Sequence, residues 1–520
     1  MKKGAFDKII KRQYGLMVLS IIAVILLSTG ITYGLYQTSH QNTTNQTISI
    51  GTLSLTKTTG TAINILDAYP ISEEDITSDY PKYTFGLTND GDYALSYQLY
   101  LEDVTSSAIS SYPNYTAITS SEYAYVMYKI DDETAQTLAS VYDSTTGRFN
   151  IQTGTLPADM ASPSNHTITF WIAETAPNTF QGKMMSLSLK LDGTAIIEPS
   201  ERTFNALNLT LGSGTPNFNS ISPGDDTVGV YTAIDDYGTS YYFRGNVTNN
   251  YVKFGKNSSN QDMYWRIVRI NGDGSLRLIY DGKQAYANGT NNSARLVVNG
   301  IAFNSSYNDA KYVGYMYGGA AWVASTSYAQ ATTNETNSTI KTYIDNWYVT
   351  NIKNTGYEDY LSDEIFCNDR SLIDGDGYGN TLTYYGARNR LYTNKTPTLI
   401  CPQKNDAFTV NDTIKGNGVL TNPIGLLTAD EASYAGGKWG TSNVSYYLYK
   451  GLWYWLGSAS SFYASNGYAY VFFVENDGNV LNYYGLVGGG VAPVINLSAE
   501  YSMQLIGTGI ATDPFRLSEN

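Results

Sequence analysis

Histidine is scarce in this sequence, and few catalytic or metal sites can be built without it. Only His40 and His166 occur among 520 residues, and they stand in different contexts. A zinc site needs several nitrogen or sulfur ligands, and a catalytic triad needs a histidine between a serine and a carboxylate. We therefore predict no metal site and no triad, and we interpret His166 as a strand-edge residue.

Positive charge is also scarce. The formal net charge is −14, and no basic patch stands out beyond the first dozen residues. Nucleic-acid binding depends on clustered lysine and arginine, so we expect no nucleic-acid partner. Tyrosine is abundant instead, at 47 residues, while charged residues make up 15%. This composition favours an all-β extracellular protein with amphipathic tyrosine surfaces.

Cysteine occurs twice, at Cys367 and Cys401. In an oxidising compartment two cysteines of one domain pair as a disulfide, whereas in a reducing compartment they stay as buried thiols. A disulfide here would close a loop of about 34 residues and contribute about 3–4 kcal/mol in the loop-entropy model. We predict the disulfide, on the condition that the chain is exported.

The N-terminus decides the compartment. Residues 1–14 are basic, and residues 16–36 run for 21 positions without a charge, long enough to span a bilayer as a helix. We predict a cytoplasmic segment at 1–14, a signal-anchor transmembrane helix at 15–36 and a polar stalk at 37–47. Basic flanks stay in the cytoplasm, so the rest of the chain lies outside the plasma membrane. A cleaved signal peptide is the alternative, although no Ala-x-Ala site follows.

Short strands dominate residues 48–197. Apolar residues take every second position from Leu95 to Leu101, and turn-forming residues separate such runs. The pattern predicts an all-β sandwich. Residues 198–226 are rich in Ser, Gly and Pro and are predicted as a linker with one strand near Phe204.

Three motifs in the predicted sandwich carry a family resemblance. They lie at 49–56, 83–89 and 96–103. They resemble motifs of the camelysin/TasA-like surface proteins of Gram-positive bacteria. The resemblance implies a jelly-roll-like fold, and fibre assembly by strand exchange, which some of those proteins perform.

Residues 227–518 mix strands with two helices. A hairpin is predicted around the turn at 271–274, and a second around 475–478. The spacing of Ile340, Ile344 and Tyr348 predicts a helix over 338–353, and a capping box at Thr428 predicts another. Long loops between distant strands indicate an α+β domain whose first and last strands meet in one sheet. The run through Pro493 is predicted as an edge or bulged strand.

A second resemblance covers this α+β domain. Its motifs lie at 264–279, 366–370 with 401–402, 423–431, 454–458 and 490–497. In this order they resemble a domain of low-GC Gram-positive surface proteins that is similar to the C-type-lectin-like fold of formylglycine-generating enzymes. The resemblance implies a C-type-lectin-like domain over 227–518. The family usually has arginine where Ala492 stands, and often arginine or Ser-Pro where Gly457, Ser458 and Ala459 stand. If those side chains serve a ligand or a buried ion pair in the family, this chain has lost that role.

Aromatic residues near the C-terminus are the candidate ligand contacts, because flat rings beside Asn and Asp suit glycan or protein recognition. The candidates are Trp455, Tyr463, Tyr468, Tyr483 and Tyr484. Core packing is the alternative role for each ring.

Calcium is a weaker expectation. Asp374 and Asp376 lie in an Asp-Gly loop, but Tyr385 stands where an EF-hand needs glutamate. Turn chemistry explains the loop without a metal.

Together these features predict a membrane-anchored cell-surface protein without catalytic activity, which binds or adheres through loops of the C-type-lectin-like domain. A matrix or fibre protein that self-assembles through the sandwich is the first alternative. An enzyme on a formylglycine-generating-enzyme-like scaffold is the second. Fold class does not decide among them.

Overall fold

The computed structural model describes residues 53–57, 63–66, 70–77, 80–91, 93–225 and 227–518. The predicted cytoplasmic segment, transmembrane helix and stalk lie outside these ranges. Within them, no helix combines the length and apolar character that crossing a membrane requires. The chain divides into two compact units, Met1–Ile196 and Ile197–Asn520.

The first unit is built from short strands. They are β1 Leu53–Lys57, β2 Ile63–Leu66, β3 Pro70–Ile71, β4 Lys82–Asn89, β5 Leu95–Asp103, β6 Thr116–Ala117, β7 Val126–Ile130, β8 Gln136–Thr137, β9 Tyr142–Asp143, β10 Arg148–Leu156, β11 Ser164–Ala173 and β12 Lys183–Ala195. One short helix, α1 Thr105–Ala108, and 3-10 turns at Glu73–Asp75, Ile109–Ser111, Ser120–Tyr125, Leu138–Val141 and Asn178–Phe180 connect them.

Two sheets of the first unit share one core. One has the order β1-β4-β11-β7-β8 with β3 added on β11, and the other β2-β12-β5-β10-β9 with β6 added on β12. Phe85 and Leu87 of the first sheet and Leu99 and Leu101 of the second are buried in the same cluster. Alternate residues of a strand face the same side, so the period-two pattern fills this core. The expected β-rich unit with alternating strands is confirmed.

The second unit contains seventeen further strands among its described residues. They are β13 Gly229–Asp235, β14 Gly238–Arg244, β15 Tyr251–Lys256, β16 Asp262–Ile270, β17 Leu276–Gly282, β18 Val298–Ala302, β19 Met316–Tyr317, β20 Thr336–Asn337, β21 Phe366–Cys367, β22 Leu372–Gly375, β23 Thr383–Tyr385, β24 Ala407–Phe408, β25 Tyr454–Tyr463, β26 Tyr468–Val474, β27 Val480–Tyr484, β28 Gly488–Val491 and β29 Val494–Leu497.

Six helices accompany these strands in the described part of the second unit. They are α2 Pro199–Ala206, α3 Tyr328–Ala331, α4 Thr339–Asn351, α5 Gly386–Arg388, α6 Ala429–Tyr434 and α7 Ala499–Ser502. A π-turn, Asn389–Asn394, continues α5, and 3-10 turns lie at Ser293–Arg295, Ala310–Val313, Glu358–Tyr360 and Lys404–Asp406.

The last strand of the second unit returns to its early hairpin. Leu276 of β17 pairs with Leu497 of β29, and Leu278 pairs with Ile495. The sheet order is β13-β14-β16-β17-β29 with β15 on β16, so β29 is an edge strand. The predicted closure between distant strands and the edge position after Pro493 are both confirmed.

A second large sheet lies in the same unit, with the order β18-β28-β25-β23-β22; β26 pairs with β25 and β27 with β26. Strand β28 belongs to this sheet and β29 to the other, so the chain changes sheets at Ala492 and Pro493. Proline has no N–H for a ladder hydrogen bond and suits such a break. Its carbonyl accepts a bond from the Tyr280 N–H, at 2.9 Å.

The two predicted helices form, and the predicted linker does not. Ser338 caps α4 by accepting from the Lys341 N–H, and Thr428 caps α6 with Glu431 closing the capping box. Residues 198–226, however, belong to the second unit, and the strand expected near Phe204 is helix α2. Proline at its first turn presets the helical φ, and Phe204 is buried in the core of this unit.

One carboxylate of α6 reaches into that core. Glu431 pairs with Arg269 of β16, at 3.1 Å, and with Arg277 of β17, and all three side chains are buried. Burial opposes ionisation, but Arg277 and Arg269 together hold the pKa of Glu431 below its usual value. A buried charge of this kind is stable only while its partners remain.

The predicted disulfide is present. Cys367 and Cys401 are bonded, with their Cα atoms 5.6 Å apart. The bond joins the short strand β21 to the loop after the π-turn, and the Cys401 N–H also donates to Asp236, at 2.9 Å.

Replacing both cysteines by serine (Cys367→Ser with Cys401→Ser) should lower the free energy of unfolding by about 3–4 kcal/mol, because the unfolded loop regains its freedom. Urea denaturation followed by tryptophan fluorescence measures this, since six of the seven tryptophans lie in the second unit. Reduced wild type should unfold like the variant. Equal stability of variant and oxidised wild type would contradict the prediction.

Glu431→Gln should destabilise the second unit by about 3–5 kcal/mol, because buried Arg277 loses its salt-bridge partner and Arg269 keeps only Asp235. The same urea titration measures it. Glu500→Gln is the control, since this glutamate is exposed and should change stability by about 0.5 kcal/mol or less.

Candidate ligand-binding face

Strands β25, β26 and β27 bring together most of the tyrosines predicted to contact a ligand. Tyr463 pairs with Tyr468 across β25 and β26, and Tyr470 pairs with Tyr484 across β26 and β27. Paired residues of neighbouring strands point to one side of a sheet, as do alternate residues of one strand. The four tyrosines therefore share a face.

Their rings form a continuous series. The ring centroids are 4.9 Å apart for Tyr463 and Tyr470, for Tyr470 and Tyr484, and for Tyr484 and Tyr468. All four side chains are half-buried, so each leaves part of its surface to solvent. Burial raises the pKa of Tyr470 to about 12, and its hydroxyl stays protonated while it accepts a bond from the Asn466 amide at 2.9 Å.

Two predicted contact residues occupy the alternate strand positions of this hairpin. Trp455 pairs with Phe473, and Tyr483 pairs with Val471. Trp455 is 1% exposed, and its indole N–H donates to the Ile301 carbonyl at 2.9 Å. Trp455 is therefore a core residue, and its prediction as a ligand contact is wrong. Tyr483 is 41% exposed, and its ring lies 4.7 Å from that of Tyr484, so it stays a candidate contact at the border of the shared face.

The structure extends the shared face with two residues that the sequence did not single out. The ring of Tyr307 lies 5.9 Å from Tyr468, and the indole of Trp322 lies 5.2 Å from Tyr307. Trp322 is 62% exposed and Tyr307 46%. A sequence signal was present, because Trp322 sits in a run of glycine, alanine and valine without a polar residue.

A buried ammonium group supports the Trp322 loop. Lys311 is buried and donates from Nζ to three loop carbonyls, those of Gly318, Ala320 and Val323, at 3.2, 3.0 and 2.7 Å. Trp322 has a φ of +66°, a left-handed conformation that a bulky side chain adopts only when its surroundings impose it. The indole is therefore presented to solvent by a rigid support.

At its other end the face continues onto β23 and α5. The ring of Tyr384 lies 5.8 Å from Tyr463. The Arg388 guanidinium lies 4.8 Å from the Tyr384 ring centroid, 5.1 Å from Tyr392 and 5.9 Å from Trp439. We name the whole series the aromatic band; it comprises Trp322, Tyr307, Tyr468, Tyr484, Tyr470, Tyr463, Tyr384, Tyr392 and Trp439.

Comparison with known proteins identifies no homologue of this chain. No family model, curated protein or solved structure matches the chain. The camelysin/TasA-like and C-type-lectin-like resemblances therefore stay predictions. The chemistry of the band follows from its residues, which offer ring surfaces, phenol hydroxyls and a guanidinium group to a ligand.

The calcium candidates do not assemble a ligand set. Asp374 and Asp376 are exposed, and Asp374 accepts the N–H of Gly375 at 2.9 Å. Across the described residues, no three His, Cys, Asp or Glu side chains gather as metal ligands do.

Tertiary structure gives His166 partners that the sequence did not reveal. Its Nε2 lies 2.9 Å from the Ser164 hydroxyl and its Nδ1 lies 2.8 Å from Asp131, the hydrogen-bond order of a catalytic triad. Asp131 also accepts the N–H and hydroxyl of Thr167. These bonds fasten the start of β11 to the turn after β7, and Asp131 is exposed. We therefore interpret the cluster as structural. The sequence did not reveal it, because Asp131 lies 35 residues before His166 in the chain.

A second polar centre lies beside the disulfide. Arg390 pairs with Asp369 at 2.7 Å and with Asp430 at 2.8 Å. With Cys367 they line a cavity of about 20 Å³, which is room for about one water molecule. Arg390 thus has a carboxylate partner on each side, and we interpret this centre as a structural one.

Near this centre a carboxyl group is buried against another acid. Glu364 is 5% exposed, and burial together with Asp273 raises its pKa to about 9. It is therefore protonated in the folded protein at neutral pH and ionised in the unfolded chain. Its contribution to stability is complete below about pH 4.5 and is lost as the pH rises towards 9.

Glu364→Gln should remove this pH dependence, because an amide keeps the neutral state at every pH. We expect wild type to lose stability relative to the variant as the pH rises from 5 to 9. Urea unfolding of both proteins at pH 5, 7 and 9 measures the difference. A difference that stays constant over this range would rule out the protonated pair.

Proposed function

We propose that this protein is a membrane-anchored cell-surface binding or adhesion protein whose second unit recognises its ligand through the aromatic band. The observation that carries the proposal is the continuity of the band. Partly exposed rings follow one another from Trp322 to Tyr384 on strands and braced loops of one unit. Exposed aromatic residues in such a series are typical of recognition surfaces.

Rigidity supports the same function. Binding is weakened when flexible side chains or loops must be ordered. Here Tyr468, Tyr470 and Tyr484 lie on paired strands, and Lys311 holds the loop of Trp322. These side chains and loops therefore lose little conformational entropy when a ligand binds, so more of the contact energy of the rings contributes to affinity.

The fold-level part of the proposal is a jelly-roll-like sandwich followed by a C-type-lectin-like domain. Two sheets around one core in the first unit support the former. The return of β29 to β17, with long loops in between, supports the latter. Export from the cytoplasm rests on the charge pattern of residues 1–36, and the disulfide agrees with an oxidising compartment.

Self-assembly through the first unit is a second candidate function. Strands β1 and β2 lie at the edges of their sheets, and an edge strand leaves hydrogen-bonding groups for another chain. Fibre formation by concentrated protein, without binding to any ligand, would favour this function. An enzyme on a formylglycine-generating-enzyme-like scaffold remains a third proposal.

Replacing two central rings tests the binding proposal. Tyr468→Ala with Tyr484→Ala should weaken binding to the ligand at least about tenfold, because each ring supplies of the order of 1 kcal/mol of contact. The full chain is screened on a glycan array and against cell-wall fragments, and the strongest hit is titrated with wild type and variant.

Tyr112→Ala is the control for this experiment. Tyr112 is a half-buried tyrosine of the first unit, and its loss should leave binding unchanged. Equal affinity of the double variant and wild type would show that the ligand binds elsewhere.

A further inference from the structure

One end of the aromatic band carries a group of cations. Arg388 lies against Tyr384, Tyr392 and Trp439, and the Lys395 ammonium lies 5.7 Å from the Tyr392 ring centroid. Lys438 precedes Trp439 and is close enough that its charge, second to burial, lowers the pKa of Lys395. We name Arg388, Lys395 and Lys438 the cationic patch.

In the described part of the chain, no carboxylate forms a salt bridge with a cation of the patch. Lys395 donates to the carbonyls of Leu391 and Tyr392, both at 2.8 Å, and the Arg388 guanidinium lies against three aromatic rings. Arg390, two residues further along the same helical segment, is instead held by two aspartates. Free positive charge beside aromatic rings, in a protein of net charge −14, is complementary to an anion.

We propose that the aromatic band binds an anionic polysaccharide, with a carboxylate or phosphate group of the polymer on the cationic patch and successive sugar rings along the tyrosines. This inference rests on the proposed binding function and specifies its ligand class.

The shape of the band favours a polymer of rings. Successive ring centroids from Trp322 to Tyr384 are 4.9–5.9 Å apart, so the rings form one contiguous surface. Ring surfaces suit the apolar faces of sugars. Arginine presents a planar fork that matches carboxylate and phosphate.

An acidic residue borders the aromatic band near the patch. Asp374 pairs with Tyr384 across β22 and β23, and it is exposed. Its carboxylate repels an anion bound beside Tyr384. Removal of that charge should therefore strengthen binding of the proposed ligand, whereas a merely structural aspartate would not affect it.

Two matched pairs of polymers test the inference with the full chain. Polygalacturonate is compared with its methyl ester, and phosphorylated dextran with unmodified dextran. Wild type should bind one charged polymer at least about tenfold more tightly than its neutral counterpart, and that pair identifies carboxylate or phosphate as the recognised group. Raising NaCl from about 0.05 to 0.5 M should weaken this binding.

Variants of single charges complete the test. Arg388→Gln should weaken binding to the charged polymer about tenfold, the loss of one charge-assisted contact, and Asp374→Asn should strengthen it. Arg516→Gln is the control, because Arg516 already pairs with Asp513 at 2.7 Å and should not affect binding.

The outcomes separate the two proposals. Equal binding of charged and neutral polymers, or full affinity of Arg388→Gln, overturns the anionic ligand. If Tyr468→Ala with Tyr484→Ala still abolishes binding in that case, the binding function stands. A protein or neutral glycan as the sole ligand likewise overturns the inference, and the absence of any ligand overturns both proposals.

Discussion

The second unit depends on a buried ionic contact between a helix and a hairpin. Glu431 closes the capping box of α6 with one carboxylate oxygen and pairs with Arg269 and Arg277 through the other, and Asp235 is the second partner of Arg269. The arginines lie on β16 and β17, and β17 is the strand to which β29 returns. Desolvated charges tolerate few arrangements, because a misplaced partner leaves a charge unpaired at high energetic cost. The contact thus specifies how α6 lies on this sheet.

Buried ion pairs also fix the position of the aromatic band. A core in which long arginines are fixed by specific carboxylates allows little sliding between elements, so the large sheet with β25, β26 and β27 holds a defined position in the unit. Its tyrosines then meet at fixed distances. The buried ammonium of Lys311 fixes the Trp322 loop in the same way as the buried carboxylate of Glu431 fixes the hairpin. In both places a buried charge orders the backbone around it.

Local patterns predicted much of the fold. Capping residues located α4 and α6, turn residues located the hairpins at 271–274 and 475–478, and alternation located the strands of the first unit. These features depend on a few neighbouring residues. The expected linker failed for the opposite reason. Its serines and prolines predicted an irregular, exposed segment. Phe204 is instead buried in the core of the second unit, because the free energy of burying an aromatic ring outweighs local composition.

The sequence by itself determined the period of each strand, the caps of the two main helices and the density of tyrosine near the C-terminus. Only the tertiary structure decided which rings share a face. Strand register placed Trp455 in the core, on the side of the hairpin opposite Tyr468 and Tyr484, because neighbouring residues of a strand point to opposite sides. It also brought Trp322 and Arg388 to the two ends of the band. Contacts between residues so far apart in the chain arise from sheet pairing, and no local pattern encodes them.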